Sequence, residues 1–163
     1  MGVEGKLYLH SMPGRYEPIE DVWQAVRRLG IKAIVCLTPF DEISEKSPAY
    51  AAAMEAGRVP CDLRQLPVGD FQGPDDEDAF RRLAVDVADL LRRGRAVLVH
   101  CGAGIGRTGM FAAAALMALG LPRAEAARAV RSAGSEPGAG VQEDVLRRLE
   151  ASLSSPKRSG TGR

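Results

Sequence analysis

Residues 99–109 read Val-His-Cys-Gly-Ala-Gly-Ile-Gly-Arg-Thr-Gly, which sets a thiol, Cys101, and a guanidinium, Arg107, at the two ends of a glycine-rich segment. Apolar residues 96–99 precede it and apolar residues 110–119 follow, so it reads as a loop between a buried strand and a helix. Glycines at 102, 104 and 106 let the backbone N–H groups of Gly102, Ala103, Gly104, Ile105 and Gly106 converge on one tetrahedral oxyanion. The helix N-terminus beyond them favours negative charge. Arg107 can grip two oxygens of a phosphate with its planar fork, which a lysine does less well. The same field is expected to hold Cys101 as a thiolate nucleophile, set for displacement at phosphorus through a phosphocysteine.

Two other chemistries use similar residues. Gly104, Gly106 and Gly109 spell a dinucleotide-binding GxGxxG, but that motif needs a second parallel strand with an acidic residue about 20 positions on. No β-rich run follows Gly120. A metal site would use His100 and Cys101, yet adjacent strand residues point to opposite faces and no Cys-x-x-Cys or paired His is present. No metal and no cofactor are expected.

His100-Cys101-x5-Arg107-Thr108 resembles the signature of the cysteine-dependent protein tyrosine and dual-specificity phosphatase superfamily, H-C-x-x-G-x-x-R-[ST], with its inner glycine at Gly104. The resemblance covers most of the chain and is nearest to the small atypical dual-specificity members. Met12-Pro13-Gly14-Arg15 looks like their early Pro-Gly turn, Pro67-Val68-Gly69-Asp70-Phe71 lies where their general-acid loop would be, and residues 134–142 resemble the late loop with a water-positioning Gln. The resemblance implies that Cys101 is the nucleophile, Arg107 the phosphate clamp and Thr108 a hydroxyl donor to the sulfur. It further implies that His100 holds the loop, Asp70 is the general acid and then base, and Gln142 orients the water. Some relatives guard the nucleophile with a disulfide, for which Cys36 and Cys61 are the partners present.

Some assignments have plainer readings. Val68-Gly69-Asp70 departs from the family's common Trp-Pro-Asp, and Asp70 also reads as an ordinary turn residue. Asp62, Asp75 and Asp76 are the other acids nearby, the last two as the acidic first turn of a helix. Thr108 also reads as a helix cap, and Gln142 as a first-turn helix residue.

The elements that must position these groups alternate between β and α. Short strands are expected at 6–10, 31–38 and 96–100, an extended segment at 59–68, and helices at 19–29, 48–57, 75–93, 108–119, 123–133 and 141–152. That pattern predicts one α/β domain over residues 1–153, with a central, mostly parallel sheet flanked by helices, the protein tyrosine phosphatase-like fold. The polar residues 154–163 are expected to form a disordered tail.

Composition narrows the partners. The chain has 163 residues, 22 basic and 21 acidic, for a net charge of +1. That balance lacks the bulk positive charge of a nucleic-acid binder. No apolar run approaches the ~20 residues of a membrane span, and no signal pattern opens the chain. Three widely spaced cysteines point to a reducing cytoplasm rather than a disulfide framework. Uncharged Ala103 and Ile105 favour a monoester over a polyphosphorylated headgroup. The expected activity is metal-independent hydrolysis of phosphotyrosine, with phosphoserine or phosphothreonine as further substrates, by a monomer whose loop also takes phosphate, sulfate or vanadate. A phospho-binding pseudophosphatase and a Cys-loop sulfurtransferase or arsenate reductase are the alternatives.

Overall fold

Strands that are apolar along their whole length have to be buried on both faces, and helices between them supply the cover. The computed structural model, which describes residues 2–154, is built that way. Four strands, β1 (Lys6–His10), β2 (Ile31–Cys36), β3 (Asp62–Gln65) and β4 (Ala96–His100), form one sheet in the order β1-β4-β2-β3. Every pairing is parallel. Helices α1 (Ile19–Arg28), α2 (Phe40–Lys46) and α3 (Pro48–Glu55) follow the first two strands. Then come α4 (Glu77–Arg92), α5 (Gly106–Ala118), α6 (Arg123–Ser132) and α7 (Val141–Ser154).

The sheet separates two cores. On one face Trp23, Val26, Ile43 and Tyr50 pack with Ile34, Cys36 and Leu98. On the other, Phe80, Val87, Phe111 and Leu146 pack with Val35, Val99 and Cys101. Helix α5 lies almost wholly within that second core, which explains its apolar run of Met, Phe and Ala. Asp76 caps α4 by accepting from the Ala79 N–H at 3.0 Å, so it serves the helix start.

Register brings the site together. His10, His100, Cys36 and Gln65 are cross-strand neighbours in one row, the last residues of their strands. The four segments after that row therefore meet at the carboxyl edge of the sheet, where open α/β sheets bind ligands.

Three expectations need adjustment. The extended segment 59–68 shrinks to a four-residue strand, although Leu66 and Val68 still donate to Cys36 and Leu37 carbonyls at 2.9 and 3.0 Å. Helix α2 stands where no element was expected. Helix α5 begins at Gly106, two residues early, so Arg107 and Thr108 belong to its first turn. Ser154 ends α7, and the rest of the expected tail, 155–163, lies outside the described residues. Among the described residues no helix is long and apolar enough to cross a membrane.

Candidate active site

Cys101 follows β4 directly and is buried. After it the chain turns through residues 102–105 into α5, whose N-cap, Ile105, makes no side-chain capping bond. The first-turn amides of α5 are thus left for an incoming anion. Of the three loop glycines, Gly104 alone has a positive φ, 79°. A Cβ there would also stand 2.7 Å from the His10 carbonyl, so both conformation and close approach require glycine. Gly102 and Gly106 were expected to supply the same freedom, and they do not. Gly102 is crowded by side chains, while Gly106 is simply the first residue of a helix.

The loop is tied down from three directions. Met12 N–H donates to the Gly102 carbonyl at 3.2 Å. The Ser135 hydroxyl donates to the Gly104 and Ile105 carbonyls at 2.9 and 2.8 Å. His100, fully buried behind the loop, pairs through Nδ1 with the Cys101 carbonyl at 3.3 Å and through Nε2 with the Tyr50 hydroxyl at 2.8 Å. Those partners assign the tautomer, with Nδ1–H donating and Nε2 accepting from the tyrosine. Burial, reinforced by the His10 and Arg107 charges, pushes His100 down to about 4, so the ring is neutral at pH 7. Burial likewise raises the Tyr50 hydroxyl well above its usual range, so it keeps its proton to donate.

Arg107 is 3% exposed, and a buried guanidinium needs partners. Its Nη1 donates to Glu42 Oε1 at 3.2 Å and to the Val68 carbonyl at 2.9 Å, while Nη2 donates to Glu42 Oε2 at 2.9 Å. Burial works against both charges, and their mutual hydrogen bonds and attraction outweigh it, lowering Glu42 and raising Arg107. The Asp70 carboxylate stands 3.7 Å from the same Nη2, on a more exposed loop. The loop after β3 thus comes to the phosphate loop with its acid, while Asp62 lies on β3 and Asp76 caps α4.

The remaining expected residues also gather here. Thr108 is fully buried at the start of α5, and its hydroxyl has no hydrogen-bond partner. Gln142, on the first turn of α7, donates to the Gln72 carbonyl at 3.1 Å, and its amide lies next to Gly106. Cys36 and Cys61 form no disulfide with Cys101. Cys36 is the cross-strand neighbour of His100, and both belong with the core on the Trp23 and Tyr50 face, opposite the Cys101 side of the sheet. All three thiols are free. Burial pushes Cys36 and Cys61 up to about 11, which disfavours their thiolate forms at neutral pH.

Four residues here had no assigned role in the sequence: Glu42 and Tyr50, and Arg15 and Ser135, which entered only as members of the early turn and the late loop. Arg15 Nη1 lies 3.4 Å from where a Gly102 Cβ would stand.

The family described as polymorphic toxin system, DSP-PTPase phosphatase matches residues 10–121, a span that holds the Cys101 loop, Glu42 and Asp70. No curated protein matches the chain. Among solved structures, kinase associated phosphatase with serine for its catalytic cysteine is similar at 19% identity and a TM-score of 0.75, over 92% of this chain and 88% of that one. Tk-PTP in its active form is similar at 25% identity and a TM-score of 0.71, over 92% and 95%. Human DUSP28 is similar at 21% identity and a TM-score of 0.69, over 93% and 94%. The chain therefore belongs to the DSP-PTPase phosphatase family, as a small cysteine-based protein tyrosine/dual-specificity phosphatase.

Proposed function

We propose that the protein hydrolyses phosphotyrosine in proteins through a phosphocysteine on Cys101. The observation that carries this reading is the convergence of Cys101, the buried Arg107 fork and the Asp70 carboxylate on one edge of the sheet, around a loop whose helix N-terminus is uncapped. A phosphate seated in the loop accepts from its amides and from Arg107. The Cys101 sulfur attacks phosphorus, the bond to the tyrosine oxygen breaks, and protonated Asp70 gives its proton to that oxygen. Water then attacks the phosphocysteine and loses a proton to Asp70. The sulfur leaves as thiolate, releasing inorganic phosphate. Thr108, whose buried hydroxyl has no other partner, donates to the departing sulfur, and Gln142, whose amide lies beside Gly106, positions the water. His100 transfers no proton, since its two ring nitrogens are engaged with Tyr50 and the Cys101 carbonyl.

The aromatic character of the leaving group is supported by the rim. Tyr16, Phe40, Phe71, Ile105 and Val141 are exposed apolar side chains on the segments that surround the loop. Phe71, next to Asp70, is 87% exposed and sits at φ 59°, a strained conformation for an aromatic residue. An apolar rim around an anion site suits a phenyl phosphate better than a serine phosphate, which has little surface to bury.

Rapid acid quench of the enzyme during turnover of a phosphotyrosine peptide tests this reading. Mass analysis is expected to find one phosphoryl group on the peptide that contains Cys101, and a faster turnover of phosphotyrosine than of phosphothreonine. Steady turnover with no phosphoryl group on that peptide, in the Asp70→Asn variant as well, would overturn the intermediate.

A further inference from the structure

A second cation stands beside the phosphate loop, and nothing in the hydrolytic chemistry uses it. Arg15 closes the turn that follows β1. Its N–H donates to the Met12 carbonyl at 3.1 Å, and Gly14 takes φ 80° between them. Pro13 presets the turn's first angle, and the positive φ requires glycine at the next position. The turn is rigidly held, because Ser47 Oγ donates to the Pro13 carbonyl at 2.7 Å and Met12, itself fully buried, donates to the Gly102 carbonyl. Arg15 is thus carried on a platform bonded to the phosphate loop itself.

Its guanidinium rests on the exposed ring of Tyr16, 4.7 Å from the centroid. Around the point where a Gly102 Cβ would stand, Arg107 Nη2, Glu42 Oε2 and Arg15 Nη1 approach from different elements. The Glu42 carboxylate is committed to Arg107 and Lys46, and no ion pair among the described residues includes Arg15. A fixed guanidinium without a carboxylate partner, at the mouth of an anion site, is an unfilled binding group. The loop amides and Arg107 account for the scissile phosphate, so Arg15 is left for a second negative group beside it.

We infer that Arg15 and Tyr16 form a second anion subsite, which selects phosphotyrosine flanked in the peptide by another anionic side chain, a carboxylate or a second phosphate. This inference rests on the phosphotyrosine reading above.

Three peptides test it, alike except for Glu, phosphoserine or Gln next to the phosphotyrosine, assayed with the native chain and the Arg15→Gln and Arg15→Lys variants. The native enzyme is expected to favour at least one anionic peptide over the Gln peptide by roughly tenfold in kcat/KM, the scale of one charge-assisted hydrogen bond. The anionic peptide favoured more identifies the second group. Arg15→Gln should abolish that ratio and Arg15→Lys retain part of it, and added salt should erode it in the native enzyme. Equal kcat/KM on all three peptides, or a ratio that survives Arg15→Gln, would overturn the subsite. So would faster hydrolysis of a short-chain phosphoinositide bisphosphate than of every peptide. Native enzyme that fails to turn over p-nitrophenyl phosphate would instead overturn the phosphatase reading beneath it.

Discussion

Glu42 holds both terminal nitrogens of Arg107, at 3.2 and 2.9 Å, and so fixes the plane of the guanidinium under the loop. The two residues lie 65 positions apart, joined only because β2 and β4 are parallel neighbours whose ends share a register. Phosphate recognition by an arginine fork depends on that plane. Glu42→Gln keeps the shape and removes the charge, leaving the Val68 carbonyl as the remaining strong acceptor. A misplaced clamp costs on the order of 10²-fold in rate, so kcat/KM for p-nitrophenyl phosphate should fall about 10- to 100-fold. Phosphate inhibition should weaken in parallel. Unchanged inhibition together with unchanged rate would remove Glu42 from the site.

Asp70 stands 3.7 Å from Arg107, the group proposed to clamp the phosphate. In its proposed role of proton donor, it matters in proportion to how badly the leaving oxygen needs a proton. Asp70→Asn should slow hydrolysis of phenyl phosphate by about 10²-fold or more, and that of p-nitrophenyl phosphate much less. A series of aryl phosphates would show a steeper dependence of rate on leaving-group acidity in the variant. Equal losses across the series would transfer the role elsewhere.

His100 makes the fold sensitive to acid. Burial holds its ring near 4, against 6.5 for the free side chain, so between those values the unfolded chain binds a proton that the native state does not. Stability is therefore present above about pH 6.5 and is lost as pH falls towards 4. The loss from this group between pH 7 and pH 5 is about 2 kcal/mol. Urea unfolding at the two pH values should show the native chain losing more than His100→Asn by about that amount. An identical loss in both would place the acid sensitivity in other groups.

What was legible in the sequence follows from what is local. The Cys101 loop, its flanking strand and helix, and most of the element pattern depend on residues within a few positions of one another, where periodicity and glycine placement carry the signal. Helix α2 left no such trace, because only Ile43 among its seven residues is buried. Glu42 therefore carries no local sign that sets it apart from the other acidic residues. Tyr50 sits in an alanine-rich helix with nothing local to single it out, and its partner His100 lies 50 residues on. Ser135, on an irregular segment, reaches its loop carbonyls across 30 and 31 residues. Contacts of that range are set by sheet register and loop closure, which the sequence encodes collectively and no motif displays.

In the proposed mechanism Cys101 performs the displacement. Hydrolysis of p-nitrophenyl phosphate in the presence of EDTA, by the native chain and by Cys101→Ser, measures it directly. Turnover is expected in the native enzyme and none above background in the variant, with vanadate still binding to both because the loop amides and Arg107 remain. Turnover that persists in Cys101→Ser, or that disappears from the native enzyme with EDTA, would contradict a thiolate mechanism.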